Sequence, residues 1–189
     1  MAVIIVSVDR MTTTAPGALS PPPPTDHDGR HDFDFFFGTW SIHNRKLVRM
    51  LDPECDDWAE FSASSRCEPV CDGWGNTDVV EVSPVPDSQG FKALTLRLFD
   101  PERGVWQIWW TSSSRPGRLD PPVEGVFADG RGVFECHDEI DGTPIEVRFI
   151  WGDVTADSAR WEQEFSFDGG DTWVRNWVMD MTRSGGPAA

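Results

Sequence analysis

The sequence predicts an all-β protein in which about eight to ten antiparallel strands form an up-and-down β-barrel. Three observations support this fold class. Short segments rich in Val, Ile, Phe and Trp recur along the chain, clusters of Asp and Gly separate them at fairly even spacing, and helical periodicity is almost absent. Strands joined in sequence order by tight turns favour a meander that closes on itself. A β-sandwich is the main alternative.

The chain of 189 residues is long enough for one domain with a sizeable core. Beyond a short apolar opening, residues up to 30 are polar and contain four consecutive prolines, Pro21 to Pro24. We therefore expect a disordered Pro-rich arm over 1–30. The barrel domain is expected over 31–183, and the Gly- and Ala-rich tail over 184–189 is expected to be flexible.

Segments with strand character follow one another through the predicted domain. The Asp/Gly clusters at 100–104, 129–132, 141–142 and 168–170 suit hairpins between antiparallel neighbours. The predicted strands are 39–50, 58–68, 76–83, 91–99, 105–112, 123–128, 132–138, 145–151, 159–167 and 172–182.

Alternation assigns two faces to several of these strands. We expect the aromatic face of each strand to form the barrel interior, which would place Gln163 and Arg175 among aromatic side chains. The predicted inward residues are Ile145, Val147, Phe149 and Trp151, then Trp161, Gln163, Phe165 and Phe167, then Trp173, Arg175, Trp177, Met179 and Met181.

The first predicted strand follows a dense aromatic run, Phe-Asp-Phe-Phe-Phe-Gly-Thr-Trp over 33–40. Gly38 allows a sharp turn of the backbone, so the Trp40 indole can fold over the base of the sheet. The run thus predicts a closed end, with function toward the opposite end. If Trp40 points inward, alternation sends Asn44 inward and His43 outward.

Residues 166–173 match the pattern S-x-D-x-G-x-T-W and resemble the Asp-box hairpin of sialidases and other β proteins. We expect Asp168 to accept backbone N–H groups across the turn and Trp173 to pack beneath it. This role is structural, so the motif does not indicate a glycosidase.

Gly38-Thr39-Trp40 resembles the G-x-W signature on the first strand of lipocalins and related calycin barrels. In lipocalins an Arg near the last strand packs over this Trp, and Arg183 stands at the corresponding place here. The stretches 33–35, 96–101 and 106–110 resemble uncharacterised bacterial calycin-like proteins, a family of unknown function. The resemblance implies an antiparallel calycin-like β-barrel over 31–183 and no particular catalytic residue.

The net charge of the chain and its amino-terminal sequence indicate which partners and which location to expect. The chain has 32 acidic and 16 basic residues, and its net charge of −16 repels nucleic-acid backbones and anionic lipid head groups. We expect no nucleic-acid and no membrane partner. The apolar opening over 1–6 is too short for a signal core, with Met11 an alternative start, so we expect a cytoplasmic protein with free thiols. Its oligomeric state stays open, with a homodimer among the alternatives.

The aromatic composition suggests the first functional hypothesis. The chain has 12 Phe and 10 Trp but no Tyr, which is typical of a dry aromatic interior. Such an interior could hold a small hydrophobic or aromatic molecule. We expect Trp110, Gln163 and Trp177 to contribute to the pocket, with Arg97 or Arg175 contacting a carbonyl or carboxylate of the ligand.

The alternative hypothesis is a cofactor-free cyclase, isomerase or lyase acting on a biosynthetic intermediate. Such reactions need orientation and one or two acid–base groups in a dry site. The candidate catalytic residues are Glu124, Arg148 and Arg175, together with Glu135 and Gln163, and Arg97 is close behind.

We expect no cofactor and no metal site. A zinc site would need Cys67, Cys71 and Cys136 to converge with His137, and their spacing is loose. Haem binding through His43 would need a bulge to turn that side chain inward.

Overall fold

The computed structural model describes residues 28–84 and 89–185. The predicted arm up to residue 27 and the end of the predicted tail, 186–189, lie outside the described residues. The described strands form one closed antiparallel barrel in which each strand pairs with its neighbours in sequence and β1 pairs with β10. The strands are β1 Gly38–Leu47, β2 Trp58–Val70, β3 Gly75–Val82, β4 Phe91–Asp100, β5 Val105–Ser112, β6 Val123–Ala128, β7 Arg131–Ile140, β8 Thr143–Gly152, β9 Ser158–Ser166 and β10 Val174–Gly185.

The all-β, up-and-down barrel is confirmed, and the β-sandwich alternative is not observed. Each predicted strand overlaps one strand of the structure, and the closed ten-stranded order fits the calycin-like architecture. The last strand continues to Gly185, two residues beyond the predicted end of the domain. Short 3-10 turns occur at Asp34–Phe36 and Cys71–Gly73, and the described residues contain no helix long and apolar enough to cross a membrane.

The end of the barrel beside the aromatic run is closed, as predicted. Gly38 has a φ of +116°, and the fully buried Trp40 donates its indole N–H to the Phe36 carbonyl at 2.8 Å. The guanidinium carbon of Arg183 lies 4.3 Å from the Trp40 ring centre, and its Nη1 donates to the Phe37 carbonyl at 2.6 Å. Arg183 therefore covers Trp40 and pairs with the backbone of the preceding turn.

Aromatic side chains fill the barrel next to this plug. The Phe33 ring is fully buried and meets Trp106 and Phe127 edge to face, with both ring centres at 5.0 Å. Edge-to-face contacts are favourable because the positive ring edge meets the negative ring face. These rings form the part of the core next to the closed end.

Alternation on β1 follows the prediction. Ile42 and Asn44 are buried, and His43 lies outside, where its Nε2 is 3.0 Å from Glu60. The next inward position is Lys46, at the far end of the strand from Trp40.

The predicted inward position of Arg175 is wrong. The register changes between Arg175, which pairs with Glu164, and Trp177, which pairs with Gln163, so Asn176 is an extra residue in β10. A bulge of this kind shifts the alternation by one residue. Arg175 is exposed on the outer face, while Asn176 and Trp177 are both buried.

The Asp-box hairpin forms between β9 and β10 as predicted. Asp168 accepts the Thr172 backbone N–H at 2.9 Å and hydroxyl groups from Thr172 and Ser166 at 2.6 and 2.7 Å. These bonds, the Thr172 hydroxyl first, lower the pKa of Asp168 to about 2. Trp173 donates its indole N–H to the Gly170 carbonyl at 3.0 Å, which fixes its ring beneath the turn.

Candidate functional site

A cavity of about 260 Å³ occupies the barrel at the end opposite the Trp40 plug. Lys46 lines it and lies six residues beyond Trp40 on β1, roughly 20 Å along an extended strand. The segment between β5 and β6, with Arg115 and Asp120, forms one side of its mouth. The predicted ligand-binding residues Trp110, Gln163 and Trp177 all line this cavity.

The inner wall of the cavity is a set of aromatic rings held at steep angles to one another. Trp177 meets Trp161 and Trp110 edge to face, with ring centres at 5.6 and 6.1 Å, and Trp161 meets Phe149 at 4.9 Å. Each ring restricts the next, so the wall presents fixed aromatic faces and edges to an occupant.

Buried amides orient the same wall. The Trp177 indole donates to Asn44 Oδ1 at 3.0 Å, and Gln163 Nε2 donates to Asn176 Oδ1 at 2.8 Å. Asn44 and Asn176 are fully buried, and Asn176 reaches this position because of the β10 bulge. These bonds fix Trp177 and Gln163, whereas the Nδ2 groups of Asn44 and Asn176 are buried without a hydrogen-bond partner among the described residues.

Lys46 is a cavity residue that the sequence reasoning missed. Its Nζ lies 3.9 Å from the Trp177 ring centre, and within the described residues it forms no hydrogen bond or ion pair with a carboxylate. Burial, and then the positive charge of Arg115, lower the pKa of the Lys46 ammonium to about 8. The alternation already predicted for Trp40 and Asn44 could have identified it, because position 46 lies on the same face.

The charged groups at the mouth do not neutralise Lys46. Asp120 accepts from Arg115 Nη2 at 2.8 Å and from Arg118 Nε at 3.2 Å, and Asp138 lies 3.5 Å from Arg118 Nη2. The charged residues that line the cavity are Lys46 and Arg115 on one side and Asp120 and Asp138 on the other. Both carboxylates are paired with arginines, and Lys46 is the lining cation without a carboxylate partner among the described residues.

A narrow chamber of about 30 Å³ continues below the cavity and reaches Arg97, a predicted ligand-binding residue. Arg97 Nη1 donates to Asp78 Oδ1 at 2.6 Å and to Asn76 Oδ1 at 3.0 Å, and Ser65 donates to the other Asp78 oxygen at 2.9 Å. The guanidinium lies 5.2 Å from the ring centre of Phe33. Arg97 thus lies at the floor of the interior and is already paired.

Of the catalytic candidates, Glu124, Arg148 and Arg175 lie on the outer surface and do not line the cavity, whereas Gln163 lines it. Glu124 accepts from Gln107 at 2.6 Å and pairs with Arg103, whose hydrogen bond lowers the pKa of Glu124. Arg148 covers the Trp173 ring at 3.6 Å, and Arg175 pairs with the outward Glu162. The structure separates them because their inward neighbours, such as Val123 and Val147, occupy the cavity face.

The candidate metal and haem ligands do not assemble either. Cys67 is buried in the core, Cys71 is exposed, and only Cys136 lines the cavity, where burial raises its thiol pKa to about 12. Across residues 28–84 and 89–185, no group of three or more potential metal ligands is present. None of the histidines in these ranges lines the cavity.

In comparisons with known proteins, no family model matches the sequence, and no curated protein matches it significantly.

Proposed function

We propose that the protein is a calycin-like barrel that binds a small hydrophobic or aromatic molecule in the cavity at its open end. The observation that carries the proposal is the cavity of about 260 Å³ walled by Trp110, Phe149, Trp161 and Trp177. Ligand pockets of about 300–1,000 Å³ take drug-sized molecules, so this one suits a compact ligand of one or two rings.

The aromatic residues that line the cavity account for the expected binding free energy. Burial of apolar ligand surface contributes roughly 25 cal/mol per Å², and the rigid indoles lose little freedom when a ring packs on them. The Trp177 and Gln163 side chains are held by Asn44 and Asn176 before any ligand arrives. Because these side chains are already ordered, binding costs less conformational entropy, which supports affinity for a small ligand.

Tryptophan fluorescence tests the proposal. Titration with a panel of neutral one- and two-ring aromatic molecules should quench or shift the emission, because three tryptophans line the cavity. Trp177→Ala should weaken binding about tenfold, the loss expected for one aromatic contact. Trp58→Ala is the matched control, because Trp58 is 42% exposed and outside the cavity. No spectral change across the panel, extended to aromatic acids of the same size, would reject the proposal.

Native mass spectrometry of the freshly purified protein supplies a direct second measurement. A retained molecule should appear as a fixed mass increment in the wild-type protein and should be reduced in Trp177→Ala.

One observation favours the second candidate, a cofactor-free cyclase, isomerase or lyase. The Lys46 amine faces the cavity with a pKa of about 8, within the range of a general base near neutral pH. Conversion of a retained ligand to a product of different mass or absorbance would support an enzyme. Its rate should then rise with an apparent pKa of about 8 and be lost in Lys46→Met.

A further inference from the structure

Lys46 is a cavity-lining ammonium that forms no ion pair with a carboxylate of the described residues. Its Nζ lies 3.9 Å from the ring centre of Trp177 on the neighbouring strand, and the positive charge of Arg115 repels it. A buried cation costs free energy unless an anion or hydrogen-bond acceptor compensates it. Within the described residues the protein supplies no such carboxylate to Nζ.

The ion pairs at the mouth indicate the charge of the ligand. Asp120 and Asp138 are engaged by Arg115 and Arg118, which leaves Lys46 as the lining cation without a carboxylate partner among the described residues. One monovalent anion pairs with this ammonium, whereas a dianion brings a second negative charge that no unpaired cation of the described lining meets. Cys136 does not alter this balance, because burial keeps its thiol protonated with a pKa of about 12.

The cavity lining indicates the chemistry of the rest of the ligand. Most of the uncharged lining residues are aromatic or aliphatic, and the Gln163 amide N–H is already bonded to Asn176. The part of the ligand beyond its anionic group should therefore be apolar.

We infer that the occupant is a compact hydrophobic or aromatic monocarboxylate, with its carboxylate on the Lys46 ammonium and its apolar body against Trp177 and Trp161. This inference rests on the proposed ligand-binding function and adds the chemical class of the ligand. Charge-assisted hydrogen bonds to a carboxylate are about twice as strong as neutral ones, so Lys46 selects acids over their neutral analogues.

Two probes that share the naphthalene ring but differ in charge test whether the ligand's negative charge contributes to binding. Calorimetric titrations compare naphthalene-2-carboxylate with 2-naphthamide at pH 7, and 2-naphthyl phosphate serves as the dianion. The wild-type protein should bind the carboxylate about tenfold or more tighter than the amide, and the phosphate more weakly than the carboxylate.

Substitution of the two lysines supplies the matched control, because Lys46 and Lys92 are the only lysines in the chain. Lys46→Met should weaken carboxylate binding about 10- to 100-fold and change amide binding by less than about threefold. Lys92→Met should behave as wild type, because Lys92 pairs with Glu81 on the outer surface.

The Lys46 amine can also be observed in the wild-type protein, independently of any variant. After isotopic methylation, NMR should resolve the two lysines, and saturation with naphthalene-2-carboxylate should raise the pKa of Lys46 and leave that of Lys92 unchanged.

Failures of the inference and of the proposed function are distinguishable. Binding of 2-naphthamide as tight as that of the acid, undiminished acid binding in Lys46→Met, or a Lys46 pKa unchanged by the acid would overturn the inference and leave the ligand-binding function standing. No binding of either naphthalene probe, together with no response to the neutral panel, would overturn both.

Discussion

Two cations inside the barrel, the buried Arg97 and the partly buried Lys46, have opposite surroundings. Arg97 is 4% exposed, and its guanidinium is engaged by Asp78 and Asn76. Lys46 has an aromatic ring and a second cation for neighbours. The first arrangement holds the floor of the interior together, and the second leaves a charge available to a ligand.

Removal of the Arg97 charge should strongly destabilise the fold. Arg97→Met leaves the Asp78 carboxylate buried without its partner, and loss of one member of a buried pair costs about 3–5 kcal/mol. Urea unfolding measures this loss. Arg66→Met is the control, because Arg66 pairs with Glu68 on the exposed surface and should change stability by less than about 1 kcal/mol. The double variant Arg97→Met/Asp78→Asn should recover part of the loss, and equal stability of the single variant and wild type would contradict this account.

Lys46→Met should stabilise the ligand-free protein while it weakens carboxylate binding. The pKa of Lys46 is lowered from 10.5 to about 8, so between these values the unfolded chain binds more protons and wild-type stability rises with pH. The variant lacks this rise and is more stable at pH 7, because a poorly solvated charge is gone. Urea unfolding of both proteins at pH 7 and 10 measures the difference, and a less stable variant at pH 7 would contradict it.

At the scale of the element, β10 shows how one extra residue changes the chemistry of a face. Strict alternation predicts Arg175 inside, but the bulge at Asn176 turns Arg175 outward and keeps Trp177 in the wall. No local sequence signal marks this bulge, because it depends on the register that β9 and β1 impose on β10. By contrast, the Asp-box turn next to it was predictable, since its bonds are all made within residues 166–173.

The Asp-box turn should be sensitive to acid. The pKa of Asp168 is lowered from 3.8 to about 2, so its contribution to stability is complete above pH 4 and is lost as pH falls toward 2. Asp168→Ala should lower the melting temperature by a few degrees at pH 7 and remove this component of the acid dependence. Asp171→Ala, an exposed neighbour in the same turn, should leave both unchanged. Thermal unfolding followed by circular dichroism at several pH values is the measurement.

At the scale of the molecule, the barrel separates stability from binding by placing them at opposite ends. Trp40 and Arg183 close one end, the ring cluster around Phe33 fills the adjoining interior, and the cavity with Lys46 occupies the other end. Every strand pairs on both sides, which leaves no open edge among the described strands and gives the cavity a continuous wall.

This separation predicts different effects of two tryptophan substitutions. Trp40→Ala should cost about 3–5 kcal/mol, as expected for a large buried side chain. The milder Trp40→Phe removes the bond to Phe36 and should lower stability with unchanged affinity for the naphthalene probes. Trp177→Ala should lower affinity instead. Urea unfolding and calorimetry on the same preparations measure both, and an affinity loss in Trp40→Phe equal to that in Trp177→Ala would contradict the separation.

The chain alone predicts the strand positions, the meander, the closed end at Trp40 and the interior positions of Trp110, Gln163 and Trp177, because alternation, turn chemistry and aromatic clustering are local patterns. Which residues line the cavity, and which of them carry an unpaired charge, could not be fully deduced from the sequence. Arg97 and Lys46 lie on inward faces of their strands alike, and only the barrel shows that Asp78 neutralises one while no described carboxylate reaches the other. That difference depends on which strands become neighbours and in what register, because electrostatic pairing across a barrel acts between residues that are distant in sequence.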